Sequence, residues 1–197
     1  MNYDMLLLSA LVQADAVPEW LESRARQQVS QIDREVEKNT ERFLTINGER
    51  EPGANDIADR PLGDDALEWA RDCICSDIYE VRLHSTIPGR NHFGAHTDCT
   101  RDFSIVYLLE DGGPEQETVF YREHGKSVLR TEKRIWADNY DILTPIASVK
   151  IDVKNYTLLN GMIIHGVNNV PEGRNQIQFS ISDISKLKLS HRVYLAK

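Results

Sequence analysis

The chain of 197 residues has almost nothing from which to build a disulfide framework: its three cysteines, Cys73, Cys75 and Cys99, are an odd number without paired spacing. A small oxidised scaffold is therefore excluded, and Cys73-Ile74-Cys75 lacks the second Cys or His pair that a zinc finger needs. Buried free thiols are the reading left. Long apolar runs are missing too. No segment approaches the ~20 apolar residues of a membrane span, so no membrane partner is expected. The stretch Met1 to Val12 has no basic region, and its apolar run is broken by Gln13 and Asp15. It reads as a short buried helix rather than a secretory leader, and the expected location is the cytoplasm. Positive charge is also scarce. Against 31 Asp and Glu stand 23 Lys and Arg, a net charge of −8. Phosphate backbones are bound by Lys and Arg, so a nucleic-acid partner is not expected. The most basic stretch, Arg122 to Arg134, is interrupted by Glu123 and Glu132 and reads as a solvated loop.

What is present is enough for one packed domain, since 41% of the residues are hydrophobic. The first 45 residues read as helix, with Pro18 at a first-turn position and Val17, Trp20, Leu21, Val29, Ile32 and Val36 near the helical period. Ile46 to Asp64 turns to Gly, Pro, Asn and Asp and reads as an irregular connection. A short helix is expected over Ala66 to Cys75. Beyond Ile78 the pattern becomes period two. Strands are expected at Ile78–His84, Phe103–Leu109, Glu117–Tyr121, Ala147–Val153, Tyr156–Leu159, Met162–Val167 and Gln176–Ser182. The organisation this predicts is an N-terminal helical and loop region over 1–77, a β core over 78–185 and a C-terminal tail over 186–197. Short strands with turn residues between them predict a sandwich or barrel.

The constellation that carries chemistry is His96-Thr97-Asp98, with His165 67 residues beyond Asp98 and Arg174 nine further on. Residues i and i+2 of a strand share a face, so His96 and Asp98 can converge on one ion. His165 comes from a separate strand, between the turns Asn160-Gly161 and Asn168-Asn169. Two imidazoles and one carboxylate on one face leave coordination positions open, the arrangement of non-haem Fe(II) oxygenases. Taken without their neighbours, the two histidines read equally well as ordinary hydrogen-bonded residues.

The neighbours add a resemblance. Pro88-Gly89 leading to His96-Thr97-Asp98, Ile105 to Leu109, Gly112-Gly113 leading to Glu117-Thr118-Val119-Phe120, and Leu158 through His165-Gly166-Val167 to Gly173-Arg174 follow one another in order. In this the segment 78–183 resembles the Fe(II)- and 2-oxoglutarate-dependent dioxygenases, especially the prolyl-hydroxylase-like branch. The resemblance implies a mainly β double-stranded β-helix (jelly-roll) with flanking N-terminal helices. It implies His96, Asp98 and His165 as catalytic iron ligands, and Arg174 as the salt-bridge partner of the distal carboxylate of 2-oxoglutarate. A planar fork suits that carboxylate better than a Lys point charge. Tyr107 sits where relatives place a tyrosine sharing the same carboxylate, and reads alternatively as a core aromatic. Gln176 stands where several branches have a small hydroxyl residue, a departure that leaves its contact with the co-substrate open. Use of Fe(II), 2-oxoglutarate and O2 would yield succinate and CO2 with hydroxylation of a C–H bond. The carboxylate of Asp98 favours hydroxylation over halogenation, because halogenating relatives have a small residue there.

The substrate is less legible. Arg82, His84, His92 and Asn160 lie on or beside strands expected to face the cavity. Arg82 reads either as a partner for an acidic substrate group or as an exposed strand residue. The segment 122–144 reads as a lid with Trp136 and Tyr140 as substrate contacts, or as surface loop. The acidic surface leans toward a peptide, possible prolyl chemistry included, or an amino-acid-like substrate. A nucleic-acid demethylase of the same superfamily is expected to carry a second arginine where Ser180 stands, and a cupin a second histidine where Asp98 stands. The alternative class is a non-enzymatic jelly-roll or cupin-like module that binds a metal or ligand.

Overall fold

The computed structural model describes residues 6–38, 57–86, 92–98, 101–124, 129–130, 135–137 and 143–195. In chain order the elements are strand β1 (Leu6–Val12), helix α1 (Glu19–Lys38), β2 (Ile57–Pro61), α2 (Asp64–Cys73), β3 (Ile78–Thr86), β4 (His92–His96), β5 (Phe103–Glu110) and β6 (Glu117–Glu123). They continue with β7 (Leu129–Arg130), β8 (Ile135–Ala137), β9 (Leu143–Val149), β10 (Tyr156–Asn160), β11 (His165–Asn168), β12 (Asn175–Ile181) and β13 (Leu189–Leu195).

The strands form two antiparallel sheets. The larger runs β13-β1-β10-β5-β12-β3-β2 and the smaller β7-β8-β4-β11-β6-β9. Four pairings define the winding: β3 with β12, β4 with β11, β5 with β10 and β6 with β9, all antiparallel. Along β3, β4, β5 and β6 the chain alternates between the sheets, and β9 to β12 retrace the same alternation in reverse. A paired ribbon wound in this way is the double-stranded β-helix, a jelly-roll, mainly β with helices on one side.

Period-two burial decides what lies between the layers. In β5, Ile105, Tyr107 and Leu109 face α1 and α2, while Val106 and Leu108 pack between the sheets with Phe120 and Leu159. Both faces are covered, so Ser104 to Leu109 are all buried. The same holds for β12. Its Ile177, Phe179 and Ile181 lie under the helices, and its alternate residues Gln176, Gln178 and Ser180 are buried as well. A buried row of polar side chains has to be hydrogen-bonded. That row is where the candidate site is found.

Several expectations are corrected. Leu6 to Val12 is a strand, not a helix, and pairs with β10 on one side and β13 on the other. Leu8 of β1 is fully buried in the core between the sheets. The connection expected over 46–64 contains β2, which extends the large sheet beyond β3 with Pro61 on its outermost strand. Strand β9 begins four residues earlier than expected, and the C-terminal tail contributes β13. Helix α2 and strands β3, β5, β6, β10 and β12 match their expected positions within a few residues.

Phe179 tests the helix-facing core most directly. Its ring is fully buried and lies 6.4 Å from Trp69 and 6.1 Å from Tyr156 between ring centroids. Phe179→Ala is expected to destabilise the fold by about 3–5 kcal/mol in urea unfolding, and a loss below about 1 kcal/mol would contradict this packing.

Candidate metal centre

Strands β4 and β11 are neighbours in the small sheet, and their register sets His165 directly opposite His96. The pairing then slips, with Val167 opposite Phe93, so β4 carries one extra residue beside the site. Such a bulge re-aims the side chains next to it. The two imidazole centroids are 4.7 Å apart. Asp98 lies just past the end of β4, not within it, and its Oδ1 is 3.8 Å from Nε2 of His96. One ligand atom each from His96, Asp98 and His165 fall within 4.8 Å of one another. Nδ1 of His165 meets the Ile163 carbonyl at 2.9 Å, which leaves Nε2 for an ion.

A turn holds Asp98 in place. Its N–H donates to the Gly161 carbonyl at 2.8 Å, and the Gly161 N–H donates to the Asp102 carbonyl at 2.8 Å. A Cβ on Gly161 would stand 2.6 Å from Oδ2 of Asp98, so only glycine leaves room for the carboxylate. Burial acts to raise the Asp98 pKa, but His165, Arg101, His96 and the Arg101 hydrogen bond outweigh it and hold it below the ordinary carboxylate value. Arg101 supplies a two-point contact, Nε to Oδ2 at 3.0 Å and Nη2 to Oδ1 at 3.2 Å.

The polar row of β12 links this cluster to Arg174. Arg174 is 3% exposed. Its Nε donates to Oε1 of Gln176 at 3.0 Å, and Nη1 reaches Oγ1 of Thr118 at 3.5 Å. Thr118 lies two residues before Phe120 on β6, and Phe120 is the strand partner of His165. That spacing puts the two on one face of the sheet about 7 Å apart along the strand. Burial lowers the Arg174 pKa to about 10, with Asp111 acting the other way, so the guanidinium is charged at neutral pH. Among the described residues no carboxylate lies within ion-pair distance of it. Farther along the row, with the Gln178 amide turned to satisfy its neighbours, its oxygen accepts from Arg101 Nη2 at 2.9 Å, Arg101 Nε at 3.1 Å and Ser104 Oγ at 3.2 Å.

His96, Asp98 and His165 are therefore brought together, with Arg174 and Gln176 joined to each other along the same wall. His84 also belongs to this wall. Burial lowers its pKa to about 4, and the charges of Asp59, Arg101, Arg174 and Asp98 reach it. Tyr107 is not brought to the site. Its hydroxyl donates to Oε1 of Glu22 on α1 at 2.6 Å, on the opposite face of the large sheet. Arg82 is engaged elsewhere, by Asp59 at 2.6 Å and Glu80 at 2.8 Å. Asn160 closes β10 and braces the turn that follows: its amide donates to the Leu7 carbonyl at 2.9 Å and accepts from the Met162 N–H at 3.0 Å. Backbone register pairs His92 with Asn168 and Trp136 with His96. The expected lid contains the β7–β8 hairpin, which extends the small sheet beyond β4, while Tyr140 lies outside the described residues. Sequence reasoning missed Arg101, Gln178 and Gly161. The first was visible three residues after Asp98, and the second as the period-two continuation of Gln176.

No protein-family model and no curated protein matches the chain. The solved structures similar to it include prolyl hydroxylases and a 2OG-Fe(II) oxygenase family member. A prolyl hydroxylase from Trichoplax adhaerens, solved with a hypoxia inducible factor oxygen degradation domain peptide fragment, is 12% identical with a TM-score of 0.47, over 94% of this chain and 86% of that one. A Pseudomonas putida prolyl-4-hydroxylase is 15% identical with a TM-score of 0.40, over 90% and 94% of the two chains. A 2OG-Fe(II) oxygenase family oxidoreductase from Burkholderia pseudomallei is 14% identical with a TM-score of 0.34, over 53% of this chain and 43% of that one. At these values the site's chemistry rests on its own residues.

Two outcomes follow from this geometry. Gly161→Ala is expected to displace the Asp98 carboxylate and weaken Mn(II) uptake about tenfold or more in calorimetric titration, whereas unchanged affinity would contradict the contact. His84 takes up its proton near pH 4 in the fold but near 6.5 when unfolded. Between those values the unfolded chain binds more protons, so stability falls as pH drops from 6.5 to 4. Urea unfolding across that window should lose on the order of 2 kcal/mol through this residue, and His84→Asn should flatten that part of the profile.

Proposed function

We propose that the chain is an Fe(II)- and 2-oxoglutarate-dependent oxygenase that hydroxylates a C–H bond of a peptide or amino-acid-like substrate. The observation that carries this reading is the combination of a converging His-Asp-His cluster with a buried, charged guanidinium that has no carboxylate partner among the described residues. A buried cation without a counter-ion is strongly unfavourable, so such a group calls for an anion brought by a ligand. The donor set fits the metal: imidazole and carboxylate suit Fe(II), and three protein ligands leave positions open.

On this reading His96 and His165 contribute neutral imidazole nitrogens and Asp98 contributes Oδ1. Fe(II) bound there with 2-oxoglutarate and O2 supplies oxidative decarboxylation to succinate and CO2, coupled to hydroxylation. The protein's own part is binding and orientation. Arg174 receives the distal carboxylate of the co-substrate through its fork, with Gln176 fixing Nε and Thr118 fixing Nη1. His84 stays neutral at pH 7 and so adds no positive charge beside the dication. Asp98 and His165 are nearly buried, and reduced access of water strengthens the fixed charges that orient the ligands.

Anaerobic addition of Fe(II) and 2-oxoglutarate is expected to give a weak visible charge-transfer band. Asp98→Ala and Arg174→Ala should each abolish it at co-substrate levels that saturate the unaltered protein. Absence of the band in the unaltered protein would refute the proposal.

A further inference from the structure

Among the basic side chains described above, other than the two histidine ligands, one is left without an assignment. Arg82 is neutralised by Asp59 and Glu80. Arg174 is taken up by the co-substrate on the reading above, and His84 is neutral at pH 7. Arg101 is the remaining case. Its side chain is 12% exposed, and Asp98 is its carboxylate partner among the described residues. Gln178 holds the guanidinium from the β12 side through Nε and Nη2, and Ser104 bonds the same amide oxygen. Nη1, with two N–H donors, has no hydrogen-bond partner among the described residues.

We infer that Arg101 anchors a carboxylate of the substrate, and that metal loading makes it available. The inference rests on the metal reading of His96, Asp98 and His165. Without an ion, Asp98 and Arg101 neutralise each other, one negative charge against one positive. A dication held by the same Asp98 shares that carboxylate's single negative charge, so Asp98 alone no longer compensates Arg101. The guanidinium stays in place through Gln178, nearly buried and with Asp98 now shared with the ion. A nearly buried cation in that condition calls for a carboxylate from the ligand that enters next. Its planar fork, with Nη1 open, matches a carboxylate in shape as well as charge. Tyr79 and Asp102 border the same spot: the charges of Arg101 and Asp102 both reach the Tyr79 hydroxyl, which also bonds Ser180. The substrate class is thus a carboxylic acid, supplied either by a free amino acid or small acid, or by an acidic side chain of a peptide.

Calorimetry on the Mn(II)- and 2-oxoglutarate-loaded protein under anaerobic conditions tests this. The probes are the free amino acids, small dicarboxylic acids, and capped tripeptides containing Asp or Glu, each paired with its amide. At least one acid should saturate the loaded protein, with its amide about tenfold or more weaker, as expected for a hydrogen bond to a charged group. Free acids and acidic tripeptides separate the two sources of the carboxylate. The same acid should show no preference over its amide on metal-free protein. Arg101→Met should abolish the preference and Arg101→Lys should keep part of it. Equal binding of acids and amides, no binding by any acid, or an intact preference in Arg101→Met would each overturn the role of Arg101. Because the first comparison uses the unaltered chain, a variant that misfolds does not decide it. If Mn(II) is not taken up at all, the metal reading fails and this inference falls with it.

Discussion

Every feature of the candidate site depends on keeping one carboxylate ionised where water is scarce. Asp98 is the anion around which His96, His165 and Arg101 gather, and burial alone would push it toward neutrality. The opposing charges win because the fold delivers them from three places. His96 arrives from the end of β4, His165 from β11 directly opposite, and Arg101 from just before β5. A shift of one residue in the β4–β11 register would send one imidazole to the other face. The turn at Gly161 adds the last constraint, since it closes on Asp98 without leaving space for a side chain.

The jelly-roll winding explains why such a cluster can sit beside an apolar core. The large sheet is covered on one face by α1 and α2 and on the other by the small sheet. Its central strands are therefore buried, β12 along its whole length and β5 from Ser104 to Leu109. In β5 the buried residues between Ser104 and Glu110 are aliphatic apart from Tyr107. In β12 one row is Ile177, Phe179 and Ile181, and the other is Gln176, Gln178 and Ser180 continuing from Arg174. One strand thus anchors the helix layer with one set of side chains and lines the site with the other. This ties the stability of the fold to the geometry of the site, because Phe179 and Gln178 share a backbone.

Much of this was legible in the sequence, and the failures have physical causes. His96-x-Asp98, His165 and Arg174 were visible as a spaced pattern of ligand chemistry, and the period-two runs of β3, β5, β6, β10 and β12 were clear. Leu6 to Val12 misled because a seven-residue leucine-rich run fits helix and strand equally, and pairing with β10 and β13 decided the matter. Strands β2 and β9 carry prolines that argue against a central strand. Both lie at sheet edges, where the missing N–H is tolerated. Tyr107 was offered either as a co-substrate contact, through the resemblance, or as a core aromatic, and its bond to Glu22 on the helix side supports the second. Both faces of β5 are buried, so burial alone could not choose between them. Arg101 was missed because its role comes from a side-chain contact with Asp98 that no strand or helix period predicts.

The central claim is that His96, Asp98 and His165 together hold one divalent ion. X-ray absorption at the iron edge of the anaerobic Fe(II)-loaded protein tests it most directly. The account predicts outer-shell scattering from two imidazole rings, reduced to one ring in His165→Ala. A spectrum of oxygen ligands alone, or one unchanged by His165→Ala, would contradict it.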